Sequence, residues 1–287
     1  MINALLLLLV IAGLSAQNVT KKQYNIKTVN NGAMFFASIS AICAALFFVF
    51  KKDLALFSEP KLLPYAFGFA ITYAMAIIFS YLAISCGSLA ITSLVSSYSL
   101  MIPTFYGIFF LNEKTSLWLF LGIALLCVSL VLINLKKNNQ KNEIKITPRW
   151  IVYVILSFLG NGLCTTVQKQ QQLDFNGMYK NELMIIALVT VSVCVFVFSL
   201  FREKKQIKGC VKFSWLAVIC GVANGAVNML VMVLSNRMPA SVMFPLVSSG
   251  SIVATVTISI LLYKEKLGNM QKFGVLLGIG AIICLNI

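Results

Sequence analysis

The feature that most constrains this chain is the repetition of long apolar segments along its whole length. Each segment has about 20 residues, the length that an α-helix needs to cross the hydrocarbon core of a bilayer. Only 11% of the 287 residues are charged, too few to cover a soluble domain of this size. The sequence therefore predicts an all-α polytopic membrane protein with ten transmembrane helices. The predicted spans are 2–19, 31–50, 62–84, 88–111, 116–135, 150–169, 179–201, 213–235, 240–263 and 269–287.

The charges and the reactive residue types exclude several classes of function. The net charge is +15, but nearly every Lys and Arg lies between apolar segments, where it can anchor the chain to anionic lipid headgroups. We therefore expect the lipid bilayer as a partner and no nucleic acid. The chain has no histidine and no CxxC pair, so imidazole metal sites and Ser-His nucleophiles are excluded. We expect no metal, no cofactor and no enzymatic activity.

The two halves of the chain resemble each other. The letters LVSS occur at 94–97 and at 246–249, and from 94 to 134 a shift of 152 positions gives 11 identities in 41. Five spans in each copy is an odd number, so the second copy enters the membrane from the opposite side. The prediction is a 5+5 inverted-topology repeat, the architecture of many secondary transporters. The units are 1–135, a polar linker 136–149, and 150–287.

The first span also has features of a signal peptide, but it lacks a positive n-region. Its end, GLSAQNVTKKQ (13–23), is similar to GLCTTVQKQQQ (162–172) in the sixth span. We therefore expect it to be retained as the first helix of the first repeat.

Two five-helix halves, each with a Glu-Lys turn before a Gly-containing last helix, resemble the EamA branch of the drug/metabolite transporter superfamily. The turns are Glu113-Lys114 and Glu265-Lys266. The resemblance implies a multi-pass carrier of the plasma membrane that works by alternating access. It also implies a central cavity lined mainly by helices 1, 3, 4, 6, 8 and 9, and a small metabolite as cargo.

Polar side chains within the apolar spans are the candidates for substrate binding, because in hydrocarbon they need partners and usually face the bundle interior. Serines can equally serve close helix packing by bonding to their own helix. Amides can bind a zwitterion or a sugar without a net charge. The candidates are Gln17, Asn18, Tyr73, Ser96, Ser97, Asn161, Asn224, Asn228, Ser248 and Ser249.

All eight acidic residues fall in loops or at span ends. The small multidrug resistance relatives, which resemble each half, carry a carboxylate eight residues before a Lys. Here Gly13 and Asn161 occupy that place. Because a buried carboxylate is what would bind a lipophilic cation, the sequence favours a neutral or zwitterionic metabolite. An exporter of an organic anion or drug, a channel, and a non-transporting membrane partner protein are the alternatives.

Orientation and oligomeric state are left open by the sequence. Lys and Arg in the loops that follow odd-numbered spans, or at the adjoining span ends, number 16, against 7 for the other loops, so the positive-inside rule places both termini outside. EamA-like carriers usually have both termini inside. A GxxxG pair, Gly274 and Gly278, is compatible with a homodimer or with helix packing inside one molecule.

Overall fold

The structure is a computed structural model, and it describes residues 2–29, 31–49, 59–86, 92, 95, 98–134, 147–263 and 269–285. All regular secondary structure within these ranges is helical. The helices are α1 (Ile2–Thr28), α2 (Ala33–Val49), α3 (Leu62–Cys86), α4 (Met101–Phe110), α5 (Leu117–Asn134), α6 (Pro148–Asp174), α7 (Lys180–Arg202), α8 (Lys204–Cys210), a short 3₁₀ turn (Val211–Phe213), α9 (Ser214–Ser235), α10 (Ala240–Tyr263) and α11 (Asn269–Cys284).

Each of the ten predicted spans overlaps one apolar helix in the described part of the chain. Five helices are long and apolar enough to cross a membrane: α1, α3, α6, α7 and the segment Gln206–Ser235 that contains α9. The other five, α2, α4, α5, α10 and α11, contain shorter apolar stretches of 10–17 fully described residues. The prediction of an all-helical membrane chain is confirmed. For the fourth predicted span, 88–111, the continuous helix described is α4, which begins at Met101.

The outer surface of the bundle is apolar. On α7, Leu188 and Val191 are fully buried, whereas Val193 and Phe201 are 57% and 83% exposed on the opposite face. An apolar face of this kind is stable only against lipid or another protein surface. The buried and the exposed faces of a helix are therefore both apolar and differ in packing and not in polarity, as expected when the outer face contacts lipid instead of water.

Helix α6 runs antiparallel to α3. Trp150, near its start, packs on Ala83 near the end of α3, and Gly160 lies against the backbone of Thr72 and Ala76. A Cβ atom on Gly160 would lie 2.7 Å from the Ala76 nitrogen, so the absence of a side chain permits this contact.

Helix α1 runs antiparallel to α9. Gly13 faces Val227 in the second half of α9, and Tyr24 packs with Cys210 and Leu216 around the start of α9. Helix α6 ends at the other end of α9, where the Lys169 ammonium donates to the Ser235 carbonyl over 2.6 Å. Helices α1 and α6 thus run in opposite directions. We call the two ends of the bundle the Ser214 end and the Ser235 end.

The remaining helices complete the bundle around these two pairs. Helix α2 packs on α7 and α9, α4 packs on α6 and α10, and α5 packs on α11. In the last pair the Ser129 hydroxyl donates to the Gly274 carbonyl over 2.7 Å, and Gly278 faces the same hydroxyl. The GxxxG pair is therefore used in packing within one molecule.

Candidate functional site

A cavity of about 470 Å³ lies among α1, α3, α6, α9 and α10, with Leu100, just before α4, also on its wall. These correspond to helices 1, 3, 4, 6, 8 and 9 of the ten-span scheme, the set that the family resemblance implies. A second cavity, of about 250 Å³, continues toward the Ser214 end and shares part of the wall. Seven of the ten candidate residues line the larger cavity: Gln17, Asn18, Tyr73, Asn161, Asn224, Asn228 and Ser248.

Three amides form a chain of hydrogen bonds across the α6–α9 side of the cavity. Asn224 and Asn228 are one turn apart on α9, and the Asn228 amide donates to the Asn224 side-chain oxygen over 2.8 Å. Gln168 of α6 donates to the Asn228 side-chain oxygen over 3.5 Å. Mutual bonding fixes the orientation of these amides and leaves further donors and acceptors for a ligand.

Gln17 provides a buried donor on the α1 side of the cavity. It is 6% exposed, it lines both cavities, and among the described residues its Nε2 atom has no hydrogen-bond partner. An unsatisfied buried donor costs about 1–3 kcal/mol. A ligand that accepts a hydrogen bond from this atom would remove that cost.

Asn161 connects the cavity to the segment before α4, because its amide donates to the Ser99 hydroxyl. Ser248 is buried on the wall of α10. Ser249 is placed differently: it is fully buried, and its hydroxyl donates to the Pro245 carbonyl of its own helix over 2.7 Å, so it lies behind the wall and serves packing. The candidates Ser96 and Ser97 lie outside the described residues.

The walls carry one charge in the described part of the chain. Lys21, one turn after Gln17, lines both cavities, and no carboxylate does. The nearby acidic groups are occupied elsewhere: both oxygens of Glu203 accept from the Met34 and Phe35 amides, and Asp174 accepts from Tyr65 and Gln170. The described cavity wall is therefore net positive.

A buried ion pair closes the bundle at the Ser235 end. The two carboxylate oxygens of Glu113 accept from the backbone amides of Ala240 and Ser241, 2.7 and 2.8 Å away, at the start of α10. Lys169 donates to the carbonyls of Ser235 and Met238, and its Nζ lies 4.0 Å from Glu113 Oε1. We call this group the Glu113–Lys169 clasp. It joins the α4–α5 connection, α6, and the link between α9 and α10.

Several cavity residues were not among the sequence candidates. Lys21 is the most polar of them, and the aromatic residues Phe69 and Phe244 also belong to this group. Lys21 resembles a headgroup anchor in sequence, since it falls just beyond the predicted span 2–19. Its spacing of four residues from Gln17 was the available signal, because residues four apart share one face of a helix.

Apolar helices around an internal polar cavity define an integral membrane protein. The model of the EamA-like transporter family matches residues 148–287, the second of the two predicted units, so the resemblance to this family of membrane transporters is confirmed over that half. A solved structure described only as "Crystal structure of protein" has a TM-score of 0.78 and 11% identity, covering 98% of this chain and 95% of that chain. At this identity the likeness shows the fold alone. No curated protein matches the sequence.

Proposed function

We propose that the protein is a secondary transporter of the plasma membrane that moves a small neutral or zwitterionic metabolite by alternating access. The observation that carries this proposal is the cavity itself. It carries amide and hydroxyl side chains among apolar ones, has a volume of about 470 Å³, and is built from helices of both halves. That volume suits a small metabolite, since ligand cavities commonly measure about 300–1,000 Å³.

The pattern of helix packing supports a two-fold relation between the halves. A two-fold relation would exchange α1 with α6, α2 with α7, α3 with α9, α4 with α10 and α5 with α11. Under this exchange the pair α1–α9 corresponds to α6–α3, the pair α2–α9 corresponds to α7–α3, and the pair α1–α10 corresponds to α6–α4. Each of these pairs is in contact. The pairs α2–α7, α4–α10 and α5–α11 exchange with themselves and are also in contact. Such an arrangement is what an inverted-topology repeat requires.

Individual contacts follow the same exchange. Gly122 of α5 lies against Ala281 of α11, and Ser129 of α5 bonds to Gly274 of α11. A shift of 152 positions converts Gly122 to Gly274 and Ala281 to Ser129, so the two contacts are each other's counterparts. The offset found in the sequence is therefore also the offset that relates neighbours in space.

The two ends of the cavity differ in a way that suits a carrier. At the Ser214 end, the second cavity reaches Asn25 near the end of α1 and Ala33 at the start of α2. Toward the Ser235 end, the cavity stops at Val231, one turn before the Glu113–Lys169 clasp. Alternating access would open the clasp while the Ser214 end closes, by movement of one half against the other.

Transport by reconstituted protein tests the proposal. We expect saturable uptake of a substrate identified by a thermal-shift screen of metabolites, since a ligand that binds the folded form raises its apparent stability. Replacing Asn224 and Asn228 together by Ala removes two amides from the wall and is expected to lower uptake by at least about tenfold, the effect of about 1.4 kcal/mol.

A matched control is Thr190→Ala in α7, because Thr190 bonds only to its own helix through Ile186 and α7 lines neither cavity. This variant should transport at the wild-type rate. Ion currents that rise with open time without saturating would indicate a channel instead. Absence of both binding and flux would favour a non-transporting partner protein.

A further inference from the structure

Gln17 and Lys21 form a polar pair on the cavity face of α1. They lie four residues apart, so they share one face of the helix, and both contribute to the larger and the smaller cavity. The pair therefore stands where the two cavities meet, between the amide wall of α9 and the Ser214 end.

Both members of the pair are donors with spare capacity. The Nε2 atom of Gln17 is buried without a partner. Within the described part of the chain, Lys21 forms no ion pair, whereas Lys169, in the corresponding part of α6, is held by Glu113 and two carbonyls. A carboxylate has only acceptor sites and can accept from an ammonium and an amide at once.

The rest of the wall suits an uncharged remainder of the ligand. Its described polar groups are amides and hydroxyls, and Phe69, Tyr73 and Phe244 provide aromatic surface. No described wall residue is acidic, so a positively charged group on the ligand, such as an ammonium, would find only neutral acceptors, for example the amide oxygens of Asn224 and Asn228.

We infer that Gln17 and Lys21 bind the carboxylate of the substrate. This inference rests on the proposed function and narrows it: the cargo is a small molecule with a free carboxylate, and the corresponding carboxamide is a poor substitute. Lys21 supplies the charge and Gln17 a directed hydrogen bond. A charge-assisted bond of this kind is worth roughly twice a neutral one.

The test compares acids with their own amides on the purified full-length protein. The probes are α-amino acids beside their α-carboxamides, and hexanoate and benzoate beside hexanamide and benzamide, with dissociation constants measured by thermal shift. In the wild type we expect each acid that binds to do so about two- to tenfold more tightly than its amide, because Lys21 is exposed and its charge is partly screened. Comparison of the amino acids with the simple acids tells a zwitterion from a monoanion.

Three variants make the test specific. Lys21→Gln should abolish the preference for acids because it weakens acid binding far more than amide binding, and Lys21→Arg should retain most of the preference because the charge remains. Lys22→Gln is the matched control: it removes an adjacent charge, but Lys22 lines neither cavity, so the preference should persist. Gln17→Met should weaken acids and amides alike, since both carry a carbonyl-type acceptor for Nε2.

The outcomes separate this inference from the proposed function. If acids and amides bind the wild type equally, or if Lys21→Gln keeps the preference, Lys21 is a headgroup anchor and the inference is wrong, while the cavity remains a substrate site. If only a metabolite without a carboxylate binds and is transported, the inference is likewise wrong and the cavity remains a substrate site. If no compound binds or is transported, both proposals fail.

Discussion

At the scale of single residues, the contact between α3 and α6 depends on a missing side chain. A Cβ atom on Gly160 would lie 2.7 Å from both the Ala76 nitrogen and the Thr72 oxygen, which are backbone atoms and cannot move aside alone. Gly160→Ala should therefore force the two helices apart and destabilise the fold by about 1–3 kcal/mol. The measurement is the midpoint of thermal unfolding in detergent.

Gly280→Ala is the matched control, because it lies in the apolar helix α11 and a Cβ there would meet nothing within 4 Å. Alanine favours a helix over glycine by about 0.5–1 kcal/mol, so this variant should keep or raise the midpoint. Equal midpoints for the two variants would mean that α3 and α6 are not packed as closely as the contact implies.

Some of the cavity residues could be predicted from the sequence and others could not. Asn224 and Asn228 were predictable because an amide in an apolar span needs a polar surrounding, and they do line the cavity. Ser249 was not distinguishable from Ser248, since adjacent positions on a helix differ by face and a sequence of apolar neighbours does not tell which face is inside. Lys21 was missed because lysines near span ends usually serve as anchors.

At the scale of elements, the Glu113–Lys169 clasp holds three segments together through two helix ends. Glu113 caps the start of α10 and Lys169 caps the end of α9. Glu113→Gln removes the negative charge 4.0 Å from the Lys169 ammonium and leaves it only the carbonyls of Ser235 and Met238, a loss of about 1–3 kcal/mol. We expect the Ser235 end of the bundle to be open to solvent for a larger fraction of the time in this variant. A cysteine placed at Ser235, which is 1% exposed, should then react faster with a polar maleimide when the native cysteines have been replaced.

The control for the clasp is Arg237→Gln, which removes a charge from the link between α9 and α10 that the clasp does not use. Its labelling rate should equal that of the parent. The double variant Glu113→Gln with Lys169→Gln should be less perturbed than the sum of the single variants, because it leaves no unpaired charge. Additive effects would contradict direct coupling of the two residues.

The lengths of two helices show why hydropathy alone located the spans but not their ends. Helix α1 continues to Thr28 and α6 to Asp174, beyond the predicted ends at 19 and 169. The extra turns are rich in amides, which an apolar window excludes. Gln171 and Gln172 are nonetheless fully buried there. Gln171 donates to the Met178 carbonyl in the turn that follows the helix, so a polar turn can continue a buried helix by bonding to the chain nearby, which an apolar window does not register.

At the scale of the whole molecule, the all-helical architecture was predictable from the apolar spans, and the 152-residue offset with an odd number of spans predicts an inverted repeat. The cavity was not, since its shape depends on which helices touch. The positions of two exposed residues at the two ends of the bundle predict on which side of the membrane each one lies. Val29 lies at the Ser214 end with Gly32 and Cys210, whereas Met178 lies at the Ser235 end, where the neighbouring Gly177 faces Asn236.

Labelling from one side of the membrane tests both the inversion and the orientation. Val29 and Met178 are 78% and 56% exposed, so cysteines at these positions should react readily in a background without native cysteines. Helix α1 ends at the Ser214 end, and the positive-inside rule assigns the more basic loops, those that follow odd-numbered spans, to the cytoplasm, so the Ser214 end should face the cytoplasm. An impermeant maleimide on intact cells should then label Met178→Cys and spare Val29→Cys, with both labelled after permeabilisation. The reverse pattern would overturn the orientation and keep the inversion, whereas labelling of both from outside would contradict the inverted repeat itself.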